Sequence, residues 1–197
     1  MLSVDMSSLW GCDDEQIVKG VLEAKEHIVS YRDLLNTSKK TFRELRKDII
    51  AVCNFWVSNT YIGQPKADDV KKAFQSFFEE LMALLLNMKK SNVEYERSIA
   101  AKLLYRGKVY RYLGNVSQSG NEVPPVFDGI YVSWSKNPEN SYITNKLYGT
   151  IIRLSCKISE PLYGIDLDNL GCSRANEHEV VSPTIEKCIT EIENIPE

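Results

Sequence analysis

Two carboxylates, Glu177 and Glu179, flank His178 at the start of a short apolar run, "ANEHEVVSP" (175–183). In an extended strand successive side chains alternate faces, so both glutamates and Val181 project to one side. His178 and Val180 then project to the other. Like charges this close repel, and each tends to raise the pKa of the other. Taken alone, the pattern suits a solvated edge strand on which charge prevents aggregation. Two polar groupings earlier in the chain bear on it. Arg111 sits in "KVYRYLG" (108–114), and Ser133 and Ser135 frame Trp134 in "YVSWSKN" (131–137).

The elements that must carry these residues follow from periodicity. Ile17, Val21, Ala24, Ile28, Tyr31 and Leu35 recur at spacings of three and four, which marks an amphipathic helix after Asp13–Asp14. Phe42, Leu45, Ile49, Val52 and Trp56 repeat the stripe, "YIGQP" (61–65) interrupts it, and Val70, Phe74, Phe77, Leu81, Leu84 and Met88 form a third. "SNVE" (91–94) is a capping box that starts a fourth helix, running to about Leu104. The stripes are apolar or aromatic, as packing in a small bundle requires. Beyond them the character changes. Strands are expected over 108–114, 126–135 and 149–158, a short one within 163–170, and a last one at the glutamates. The fold class is therefore α+β, a helical region over 1–92 followed by a mainly β region over 93–197.

Composition narrows the function. The 197 residues carry a net charge of −3, 43% hydrophobic and 26% charged residues, as in a globular protein. Without a long Lys/Arg run, nucleic acid is not the expected partner. The longest apolar stretch, "LMALLLNM" (81–88), is too short to span a bilayer. "MLSVDMSSLWGCDDE" has neither the basic nor the apolar region of a signal peptide, so the expected location is the cytoplasm, or export as an effector by another route. Five scattered cysteines without Cys-x-x-Cys and only two histidines argue against a metal site or a disulfide framework. No phosphate-loop or dinucleotide glycine motif is present.

In order, "VYRYLG", "YVSWSKN" and "EHEVVSP" resemble the Arg–Ser–Glu class of mono-ADP-ribosyltransferases, toxins among them, over about residues 105–185. That family carries an aromatic-Arg strand, a Ser-Thr-Ser-like strand and a Glu-x-Glu element; here Trp134 replaces the central Thr. The resemblance implies a mainly antiparallel split β-sheet core and NAD as substrate, with no metal. It implies that Glu179 stabilises the positive charge developing on the ribose as the nicotinamide bond breaks, and that Ser133 holds Glu179 by a hydrogen bond. Arg111 would bind NAD phosphate, with Ser135 also in the NAD site, and Glu177 would activate the acceptor. Glu at that position goes with arginine as the modified residue, on a protein or a small guanidine compound; with water as acceptor the same chemistry is NAD hydrolysis. Arg106, in "LLYRG" (103–107), competes with Arg111, because the family often shows Tyr-Arg-Gly there. Arg111 is preferred because Arg106 would fall in the last turn of the fourth helix, where a cation suits the helix dipole. His178 is expected on the opposite face, in a structural role. The alternative is a non-enzymatic binding module, or an interaction protein whose helices do the work.

Overall fold

The structure, a computed structural model, describes residues 11–37, 42–57, 67–113, 131–139, 151–172, 178–183 and 188–195. The chain forms two compact units, Met1–Leu103 and Leu104–Glu197.

The first unit is helical: α1 (Asp14–Arg32), α2 (Phe42–Val57), α3 (Ala67–Lys89) and α4 (Glu94–Leu103). Helix α1 starts at a reciprocal cap, in which the Gln16 amide donates to Asp13 Oδ1 (2.9 Å) and the Asp13 amide to Gln16 Oε1 (3.1 Å). Its stripe of Ile17, Val21, Ala24 and Ile28 is buried, and α1 packs on α3, α3 on α4 and α1 on α2. Ser91 does not form the expected capping box with Glu94: its hydroxyl accepts from the Val93 amide at 3.0 Å in the turn before α4 and donates to the buried Glu96. Because α4 packs on α3, it belongs with the helices. The boundary therefore falls at 103/104 instead of the expected 92/93.

The second unit is one antiparallel sheet. Its strands are β1 (Leu104–Tyr105), β2 (Gly107–Leu113), β3 (Tyr131–Ser135), β4 (Ile151–Ile158), β5 (Gly164–Asp166), β6 (Glu179–Pro183) and β7 (Ile189–Ile195). A short helix α5 (Leu167–Leu170) follows β5. The spatial order is β1-β5-β6-β3-β2-β4-β7. Thus the α+β class and the mainly antiparallel sheet are both present. Of the strand expected over 126–135 the described part is β3, and of that expected over 149–158 it is β4.

Pairing is uneven across the sheet, and the unevenness locates the site. Strand β2 pairs with β4 along its whole length, from Gly107 opposite Ile158 to Leu113 opposite Ile152. Strand β3 pairs with β6 from Tyr131 opposite Pro183 to Ser135 opposite Glu179. Between β2 and β3, among the described residues, Tyr110 opposite Ser135 is the one aligned pair. The sheet is therefore two well-zipped halves joined at a seam. One face packs an apolar core of Val109, Trp134, Leu154, Cys156, Ile158 and Val180, all buried. Gly164 is required beside it, since a Cβ there would stand 2.4 Å from Val180 Cγ1 and 3.2 Å from Ile158 Cδ1. Gly164→Ala should accordingly destabilise the sheet by about 1–3 kcal/mol through overpacking, read as a lower denaturant midpoint. Among the described residues no helix is long and apolar enough to cross a membrane.

Candidate active site

Strand alternation and register place the functional side chains. With Trp134 and Val180 directed into the core, Ser133 and Ser135 on β3 and Glu179 and Val181 on β6 share the opposite face. Ser135 lies directly opposite Glu179, and Ser133 lies one diagonal step away. A glutamate side chain can cover the roughly 7–8 Å of a diagonal pair. It does so here, as Ser133 Oγ donates a hydrogen bond to Glu179 Oε1. Glu179 is only 5% exposed. A carboxylate so far out of water is costly unless hydrogen-bonded, so the serine both satisfies the charge and fixes its rotamer. The pair stands beside the seam, at Ser135 and Tyr110.

The remaining candidates are placed differently. Ser135 is buried, and its hydroxyl accepts from the Asn137 amide at 3.0 Å and lies 3.2 Å from the Asn137 carbonyl, closing the turn after β3. Arg111 requires a correction. Because Tyr110 is paired with Ser135, Lys108, Tyr110 and Tyr112 occupy the Ser133–Glu179 face, and Arg111 alternates with Val109 onto the core face. There it is opposite Leu154 and half-buried, and burial lowers its guanidinium pKa from the ordinary value. Register thus separates Arg111 from the serine–glutamate pair. Cations that do share the pair's face are Lys108, Arg153 and Lys157. Arg153 donates to the Pro138 carbonyl at 2.9 Å and to Glu193.

Arg106 is not in the last turn of α4, since that helix stops at Leu103; it occupies the joint between β1 and β2. Its guanidinium lies 2.6 Å from Glu160 Oε1 and stacks 3.9 Å over the Tyr163 ring. Gly107 makes this joint possible: its φ is +149°, and a Cβ would meet the Tyr105 hydroxyl at 2.6 Å. Glu177 lies outside the described residues. His178 precedes β6 rather than lying in it, and its Nδ1 is 3.0 Å from Asp168 Oδ2.

One group was not anticipated from sequence. Lys136, just beyond β3, places Nζ 3.1 and 3.0 Å from the two carboxylate oxygens of Asp166 and 3.1 Å from Asp168 Oδ2. Asp166 also accepts from the Asn169 amide at 2.9 Å, capping α5. The Lys136 amide donates to the His178 carbonyl at 3.0 Å. Burial alone lowers the Lys136 pKa, but its hydrogen bonds to both aspartates and their charges outweigh it, and the net shift is upward. The available sequence signal was "DLDN" (166–169), an Asp at the head of a short helix; nothing local tied it to Lys136 or His178.

The chain matches no protein-family model and no curated protein sequence. A solved structure described as "Vis toxin, an ADP-ribosyltransferase from Vibrio Splendidus" aligns at a TM-score of 0.35 and 15% identity, over 91% of this chain and 79% of that one. A likeness that loose carries no weight for the activity of this chain.

Proposed function

We propose that the chain is an NAD-dependent mono-ADP-ribosyltransferase that modifies arginine. The observation supporting this most directly is the Ser133–Glu179 hydrogen bond on a buried face beside the seam. It joins, in space, two motifs that resemble the transferase family in sequence. In the reaction the bond between ribose C1′ and the nicotinamide nitrogen breaks, and its electron pair leaves with neutral nicotinamide. Positive charge then develops on the ribose, as in glycoside cleavage. Glu179, held by Ser133, is suited to stabilise that charge, because a carboxylate in a poorly solvated site acts more strongly than one in water. An arginine nitrogen of the acceptor forms the new bond to C1′ and loses a proton, for which Glu177 is the proposed acceptor. Water in place of arginine would yield free ADP-ribose.

The donor set fits the ribose end of NAD. For the pyrophosphate, Arg111 is withdrawn by its face, and Arg106 in Tyr105-Arg106-Gly107 is the proposed cation. It would exchange an exposed ion pair with Glu160, a contact of small worth, for phosphate oxygens. The proposed location is the cytoplasm, of its own cell or of a target cell.

The test is transfer of label from NAD to protein in a mixed lysate, together with release of nicotinamide. Ser133→Ala removes one hydrogen bond to a charged group, a loss of about 1.5–3 kcal/mol. It is expected to lower kcat roughly 10- to 100-fold, with the protein still folded by circular dichroism. Absence of both label transfer and nicotinamide release from the wild type would remove the proposal and favour a binding module.

A further inference from the structure

His178 is the residue on which the entry into β6 turns. Its φ is +44°, a left-handed conformation disfavoured for any residue with a Cβ. Strand β6 begins at the next residue, Glu179. The backbone angles of His178 therefore set the direction in which Glu179 enters the sheet. Two contacts hold them: the His178 carbonyl accepts from the Lys136 amide (3.0 Å), and its ring nitrogen meets Asp168 Oδ2 (3.0 Å). The same Asp168 oxygen is 3.1 Å from Lys136 Nζ. This closes a ring: Lys136 main chain, His178 main chain, His178 imidazole, Asp168 carboxylate, Lys136 ammonium. Lys136 is anchored in turn to Asp166, which is buried at the end of β5. Burial acts to raise the Asp168 pKa, but hydrogen bonds and charge from His178 and Lys136 outweigh it and hold the carboxyl below its ordinary value.

We propose that Lys136, Asp168 and His178 are positioning residues for Glu179, locking the left-handed turn that aims its carboxylate at Ser133. The catalytic consequence rests on the transferase reading, whereas the positioning itself does not. A surface ion pair whose only work is structural would stabilise the chain without altering the environment of the Glu179 carboxylate.

The test reads that environment directly. In protein labelled with ¹³C at glutamate carboxyls, the Glu179 resonance is assigned by its loss in Glu179→Gln and titrated by NMR. Ser133→Ala, which removes the direct hydrogen bond, calibrates a displaced carboxylate. His178→Gly keeps the left-handed backbone accessible but removes the imidazole, and should move the Glu179 titration in the manner of Ser133→Ala. His178→Asn tolerates the same backbone and returns a donor at the Nδ1 position, and should restore it. Asp168→Ala should copy His178→Gly, and serves in its place if the glycine variant does not fold. In turnover, both should lower kcat about 10- to 100-fold with the KM for NAD little changed. Wild-type titration of Glu179 in both His178→Gly and Asp168→Ala would overturn the proposal, even in an active enzyme. Displaced titration in a protein that consumes no NAD would uphold the positioning and overturn the transferase reading instead.

Discussion

Glu179→Gln should leave a folded chain whose transfer of ADP-ribose is reduced by about a thousandfold, the scale of one well-placed electrostatic contact to a transition state. The exchange is nearly isosteric, and the glutamine carbonyl can still accept from Ser133, so the strand pairing of Ser135 with residue 179 and of Ser133 with Val181 has no reason to change. What is lost is the negative charge, in a place only 5% exposed. Removing a buried charge also removes its desolvation cost, so thermal stability should be unchanged or slightly raised. Opposite movements of activity and stability distinguish a functional carboxylate from a structural one. Nicotinamide release and a melting curve on the same samples give both quantities. A variant that keeps wild-type turnover would show that Glu179 is not the stabilising group.

Trp134→Ala should destabilise the sheet unit by about 3–5 kcal/mol, the usual cost of truncating a buried tryptophan. Trp134 is 3% exposed and packs with Val109, Leu154, Cys156, Ile158 and Val180, drawing on strands from both sides of the seam. Where β2 and β3 share so little backbone pairing, side chains from both halves in one core must supply much of the adhesion. The loss should appear as a lower denaturant midpoint, with activity falling as the folded fraction falls and kcat per folded molecule nearly preserved. This also accounts for tryptophan at a position where the resembled motif has threonine. The central residue of Ser-Trp-Ser faces the core and the flanking serines face the other way, so its exchange leaves the polar face unaltered. A variant with intact stability would show that the seam is held by other means.

Some of this was legible in the chain and some was not. The helical stripes could be read because a helix buries residues three and four apart, a relation contained within each segment. Alternation likewise set Glu179 and Val180 on opposite faces, whereas His178, with its left-handed backbone before β6, stands outside that alternation. Strand β7 (Ile189–Ile195) was not anticipated, since Ile189, Ile192 and Ile195 recur every third residue and show no period of two. The structure supplies the reason. Next to Ser155 and Cys156 the register shifts, Glu191 standing opposite Ser155 and Ile189 opposite Cys156. The extra residue, Thr190, changes the phase, so Ile189 packs against the core although it is an odd step from Ile192.

Arg111 shows the same limit from the other side. As an arginine in an aromatic strand it suited a phosphate-binding role, and only the pairing of its neighbour Tyr110 with Ser135 shows that it faces the core. The placement of α4 with the helices, and the meeting of Lys136, Asp168 and His178, likewise depend on contacts between distant residues.

Taken by itself, the amino-acid sequence determined the helices, most of the strands, the α+β class, and which side chains of one strand share a face. Each of these depends on neighbours a few residues apart. The tertiary structure alone decided that Ser133 meets Glu179, that Arg111 does not share their face, and that a lysine and an aspartate from other segments hold the turn before Glu179. Those outcomes turn on which strand lies beside which and in what register, and a shift of one residue would send every side chain to the opposite face.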